Sequence, residues 1–196
     1  MSTLSQPQAP AALDSPLREH RHRLVERLTD NLETPSLDNR SYRVVRLPNQ
    51  LEVLLIHDAE ADKASAAMDV NVGNFSDEGD FPGTAHAVEH LLFMGTEKFP
   101  KENDYKEYLA RYSGTSNAYT GATSTNYYFE VAAKKAEDAK ANETSPLYGA
   151  LDRFAQFFID PLLLSSTLDR ELRAVDSEHK NYLQMDEWRL LQLKKT

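Results

Sequence analysis

The 196-residue sequence contains no cysteine, which excludes a disulfide-stapled scaffold and any thiolate metal site. Basic residues are in deficit, 22 Lys and Arg against 31 Asp and Glu, for a net charge of −9. That balance speaks against nucleic acid as a partner and for a soluble protein or one with basic peptide ligands. No uncharged apolar run approaches the about 18 residues of a membrane span, and no internal repeat is present. The opening stretch MSTLSQPQAPAALDSP has neither a basic region nor an apolar core, so a secretory signal is not expected. What remains, 40% hydrophobic, is polar but globular, and long enough to bury a core without staples. The length allows at most two domains.

Residues 1–40 are expected to form a polar N-terminal extension. Positions 1–13 are rich in Ser, Gln, Pro and Ala, the composition of a disordered tail. Ser15-Pro16 offers a helix start, and Leu17, Leu24, Leu28 and Leu32 predict a short amphipathic helix reaching about Glu33. Its Arg18, Arg21, Arg23 and Arg27 are interrupted by Glu19, Glu26 and Asp30, unlike an acid-poor mitochondrial presequence. A cytoplasmic location is therefore expected, with mitochondria as the alternative.

A folded domain is expected over 41–196. SYRVVRL and LEVLLIH, joined through Pro48-Asn49-Gln50, predict two strands and a tight turn. Alternation over 66–72 predicts a third strand. A loop over 73–83 leads to a helix at about 84–94 ended by Gly95. Asn103 to Tyr112 reads as a helix stopped by Gly114, followed by a strand pair at 115–122 and 125–132. The charged stretch 134–145 predicts a surface loop. Ser145-Pro146 then starts a helix containing LDRFAQFF, closed by Pro161, and a long helix follows from about Ser166. The fold class is α+β, a mostly antiparallel sheet with helices packed on one face.

The segment His86-Ala87-Val88-Glu89-His90 carries the chemistry. Histidines at i and i+4 of a helix lie roughly 40° apart around the axis and one turn apart along it. Both imidazoles can thus reach one tetrahedral ion at about 2.0–2.1 Å. Glu89 flanks that face and can reach a water without being a ligand. This is the zincin arrangement reversed in sequence, the inverzincin H-x-x-E-H pattern. A catalytic zinc keeps three protein ligands and one open position, so a third ligand must come from another element. Glu171 and Glu178 on the long helix are seven residues apart and point within about 20° of each other. One can bind metal while the other orients a histidine or the water, and spacing does not choose between them.

Four segments in order, GTAHAVEHLLFMGTEKFPKENDY, SGTSNAYTGATSTNYYFEV, GALDRFAQFF and DRELRAVDSEHKN, resemble the N-terminal catalytic domain of the insulysin (insulin-degrading enzyme) family of pitrilysin-type zinc peptidases. The resemblance extends from about Ser41 to Thr196. It implies one Zn²⁺ held by His86, His90 and Glu178, with Glu89 as general base and Glu171 supporting the site without necessarily binding metal. It also implies that Asn117, Ala118 and Tyr119 lie on a strand that receives the backbone of a peptide substrate, by β-augmentation.

Members of that family are several times longer, with an arginine and a tyrosine from a distant half helping to hold substrate. The sequence ends at LLQLKKT inside a predicted helix, so a fragment is expected. Its site then needs the missing C-terminal half or a partner chain. Ala87-Val88 stand where relatives often carry an aromatic residue and a cysteine, so thiol alkylation is expected to have no effect. Two other functions are consistent with the sequence: a weakly active or inactive peptide-binding or assembly module, and a mitochondrial processing peptidase-like subunit.

Overall fold

The computed structural model describes residues 25–133, 145–182 and 184–195. The expected tail, the first part of the amphipathic helix and the charged loop up to residue 144 lie outside these residues. Two compact units divide the chain, Met1–Glu60 and Ala61–Thr196.

In the first unit, strands β1 (Glu26–Thr29), β2 (Ser41–Arg46) and β3 (Glu52–His57) form an antiparallel sheet in the order β1-β2-β3. The β2–β3 turn places Gln50 at φ 71°. One expectation is corrected here. Residues 26–29 are strand rather than the end of a helix, and β1 pairs with β2. Charge pairs accompany this pairing. Arg46 reaches Glu26 at 3.2 Å and Glu52 at 2.7 Å, while Arg43 reaches Asp30 at 3.1 Å. Charges that look like a solvated helix face are partners across a sheet.

The second unit is built on β4 (Lys63–Val70), β5 (Thr115–Thr120) and β6 (Thr125–Ala132), antiparallel in the order β4-β6-β5. Strand β4 starts three residues earlier than expected and ends at Val70, leaving Val72 exposed beyond it. Helices α1 (Thr84–Leu92), α2 (Asp104–Arg111) and α3 (Pro146–Gln156) pack on the sheet, and α4 (Ser165–Tyr182) packs on α1. A further helix, α5 (Asp186–Lys195), follows α4 where one continuous helix was expected.

Period-2 alternation on β6 sets the inner face. Tyr127, Phe129 and Val131 are buried while Tyr128 faces outward. Against them pack Leu92 of α1, Tyr105 and Leu109 of α2, and Ala150 and Phe154 of α3, followed by Phe157. Edge-to-face rings such as Phe129–Phe154 at 5.2 Å and Tyr105–Phe157 at 4.9 Å each add about 0.5–1.5 kcal/mol beyond area burial. The Ser145 hydroxyl caps α3 by accepting from the Tyr148 N–H at 3.2 Å, with Pro146 at the first helical position. Gly114 does not end α2 through its own φ. Ser113 takes the left-handed turn at φ 51°, whereas a Cβ on Gly114 would lie 2.3 Å from the Glu130 carbonyl oxygen. Among the described residues no helix is long and apolar enough to cross a membrane.

Candidate metal centre

Helix α1 carries the H-x-x-E-H run and is bracketed by two glycines in left-handed conformation, Gly83 at φ 89° and Gly95 at φ 106°, where a side chain is strained. Gly83 occupies the capping position and has no side chain to cap with. Asp77 supplies the cap from the preceding loop, accepting the Gly83 N–H on Oδ2 and the Ala85 N–H on Oδ1, both at 2.8 Å. A carboxylate there satisfies two orphan donors and complements the positive end of the helix. We expect Asp77→Ala to cost about 1 kcal/mol. Thermal unfolding would show it as a melting temperature about 2–8 °C lower, and an unchanged melting curve would remove Asp77 as the cap.

On α4 the less exposed positions are Thr167, Glu171, Ala174, Val175 and Glu178, the i, i+4, i+7, i+8, i+11 spacing of one helix face. That face meets α1. His86 Nε2 and His90 Nε2 lie 3.3 Å apart, and Glu178 Oε2 lies 3.5 Å from the first and 3.8 Å from the second. Bonds of 2.0–2.1 Å in a tetrahedron require ligand atoms about 3.3–3.4 Å apart, so the three atoms are already close to a coordination sphere. Glu171 stands behind this group rather than in it. It is 8% exposed, and its Oε2 lies 3.2 Å from His90 Nδ1. An Nδ1–H donated to Glu171 leaves His90 Nε2 as a lone pair. That lone pair faces His86 Nε2 and a carboxylate oxygen, so the donor set is one that a cation holds together.

Glu89 is 8% exposed and accepts a 2.5 Å hydrogen bond on Oε2 from the Thr120 hydroxyl at the end of β5. Thr125, paired with Thr120 across the hairpin, bonds the Val72 carbonyl at 2.8 Å and so ties the strand end to the loop after β4. Burial pushes the Tyr127 phenol up, and the Glu89 carboxylate adds to it. Asn117, Ala118 and Tyr119 lie on β5, which among the described residues pairs only with β6 and so presents an edge. The Ala118 N–H donates to Asn117 Oδ1 at 3.0 Å. His179 is exposed beside Glu178, outside the cluster.

Asp77 and Thr120 did not emerge from the sequence. Capping rules examine the residue next to a helix, and Asp77 lies six residues before Gly83. Thr120 is brought to Glu89 only by the way β5 meets α1. A signal for Asp77 was present in the glycine at the cap, which requires an outside acceptor.

Within an antiparallel sheet covered by helices, two imidazoles and a remote carboxylate converge into a group that could hold a metal ion. The chain belongs to the insulinase family (peptidase family M16), a family of metallopeptidases, whose profile matches residues 52–196. It is 54% identical over 169 residues to the Putative zinc protease mug138 of Schizosaccharomyces pombe, covering 86% of this chain and 16% of that protein. Identity to the A-factor-processing enzyme of Saccharomyces cerevisiae is 49% over 176 residues, again 86% and 16%. With the insulin-degrading enzyme of Homo sapiens it is 46% over 171 residues, 87% and 16%. In structure the chain resembles pitrilysin, with a TM-score of 0.71 and 34% identity over 79% of this chain and 15% of that one. The chain thus spans about one-sixth of the length of the curated relatives it matches.

Proposed function

We propose that this chain carries the metal-binding and acid–base residues of a zinc metalloendopeptidase that hydrolyses peptide bonds in short peptides. The observation that carries this reading is the 3.3–3.8 Å mutual separation of His86 Nε2, His90 Nε2 and Glu178 Oε2, which suits one zinc ion. The names of two relatives, A-factor-processing enzyme and insulin-degrading enzyme, support peptides as the substrate class. When bound, zinc supplies Lewis acidity toward a peptide carbonyl and lowers the pKa of water to about 7.

The protein's own groups do the rest. Glu171 fixes the His90 ring through Nδ1. Thr120 holds Glu89 Oε2, leaving Oε1 to take a proton from water and return it to the departing amine. A peptide pairing with the β5 edge at Asn117–Tyr119 exchanges the Ala118 N–H from the Asn117 carboxamide to its own carbonyl. Such pairing reads main chain more than sequence, so broad specificity follows.

A second reading is favoured by one fact, the 16% coverage of the relatives: the fold and metal are retained in a peptide-binding module that needs the rest of a longer protein for turnover. Losing a single oxyanion donor costs about 10²–10³ in rate, so groups supplied from elsewhere can decide activity. Zinc stoichiometry and fluorogenic-peptide turnover, on this chain and on one extended to the length of the relatives, test both. Zinc with turnover in this chain supports the first reading; zinc with turnover only in the extended chain supports the second.

A further inference from the structure

We infer that Arg170 is a positioning residue for the metal site, acting on His90 through Glu171. The inference rests on the zinc reading above. Two carboxylates, Glu171 and Glu178, meet the two imidazoles, and of these Glu171 is the buried one. Its Oε2 faces His90 Nδ1 at 3.2 Å, and its Oε1 accepts from Arg170 Nε at 2.9 Å. With one oxygen on each side committed, the carboxylate plane is fixed, and the ring it orients is fixed with it.

Arg170 is in turn held at its far end. Its Nη2 donates to Glu102 Oε1 at 2.8 Å and lies 3.2 Å from Met94 Sδ. Met94 follows α1 and Glu102 precedes α2, so one guanidinium spans from α4 to the segment leaving the helix that carries both histidines. The relay Glu102–Arg170–Glu171–His90 therefore joins two of the four sequence segments singled out at the start, FPKENDY and DREL, neither of which the direct ligands explain in full. Arg170 is about half exposed, with a side-chain accessibility of 52%, so as an ion pair it adds little to stability. Its contribution is directional. Arginine presents Nε and Nη2 in a rigid fork, each to a different carboxylate, which an ammonium on a flexible stem does not reproduce.

The test is zinc affinity by chelator competition, together with the visible spectrum of the cobalt-substituted chain. For Arg170→Gln we expect affinity about tenfold or more weaker and altered cobalt band positions or intensities. The metal-free variant is expected to melt somewhat lower, since the buried Glu171 loses a partner at Oε1, so affinity and the cobalt spectrum carry the test. Arg170→Lys, keeping charge but not the fork, is expected between the two, and Glu102→Gln, which loosens the far end alone, is expected to weaken zinc less than Arg170→Gln does. Affinity within twofold of the unsubstituted chain and an unchanged cobalt spectrum in Arg170→Gln overturn the inference. Should that variant fail to fold, the same result in Arg170→Lys and Glu102→Gln overturns it. An unsubstituted chain that binds no zinc removes the metal reading, and this inference with it; zinc bound equally by all variants removes the inference alone.

Discussion

Peptide turnover by Glu89→Gln is expected to fall by about 10²–10⁴-fold, the contribution of a positioned general base, while zinc stays bound. Glutamine keeps the shape of the side chain at a site only 8% exposed. Its carbonyl oxygen can still accept from the Thr120 hydroxyl, which now meets Glu89 Oε2 at 2.5 Å. Neither helix α1 nor the ligand triad is disturbed by the exchange, and what is lost is the capacity to take up a proton. Turnover of a fluorogenic peptide, measured in the longest form of the chain that cleaves it and alongside zinc content, separates the two effects. A Glu89→Gln protein with full activity would remove Glu89 as the base.

Removing a histidine acts on the other half of the chemistry. His86→Ala and His90→Ala each leave two of the three proposed ligands, and zinc content is expected to drop from about one per chain to near zero. The two variants should differ in stability. His90 also bonds the buried Glu171 at 3.2 Å, and truncating it leaves a desolvated carboxylate oxygen without that partner, at a cost of about 1–3 kcal/mol. Among the described residues His86 bonds no buried acid; its ring is partly exposed and meets the half-exposed Glu178. Metal-free His90→Ala is therefore expected to melt below metal-free His86→Ala. Equal melting temperatures would mean that the Glu171 contact adds nothing to the fold.

Local periodicity made most of this protein legible. The i, i+4 histidines and the flanking Glu89 fall where a helical repeat puts them, and α1 occupies Thr84–Leu92. The alternation of Tyr127, Tyr128 and Phe129 tells inside from outside on β6, and burial follows it. Seven-residue spacing brings Glu171 and Glu178 to one face of α4, but spacing is symmetric between them. Only the way α4 lies on α1 separates them, setting Glu178 beside both Nε2 atoms and Glu171 behind Nδ1.

Where the sequence misled, tertiary pairing overrode a local pattern. Leu24, Leu28 and Leu32 recur at helical spacing, yet Glu26–Thr29 is a strand paired with β2, with Glu26 opposite Arg46. Asp77 and Thr120 act over 6 and 31 residues, and the Glu171 that Arg170 holds meets His90 over 81. No periodic signal encodes such distances.

Anomalous diffraction at the zinc edge from crystals of the zinc-loaded chain addresses the central claim most directly. One peak is predicted within bonding reach of His86 Nε2, His90 Nε2 and a Glu178 oxygen, at about 2.0–2.2 Å from each. Absence of zinc from that point, or a peak bonded to Glu171 in place of Glu178, would contradict it.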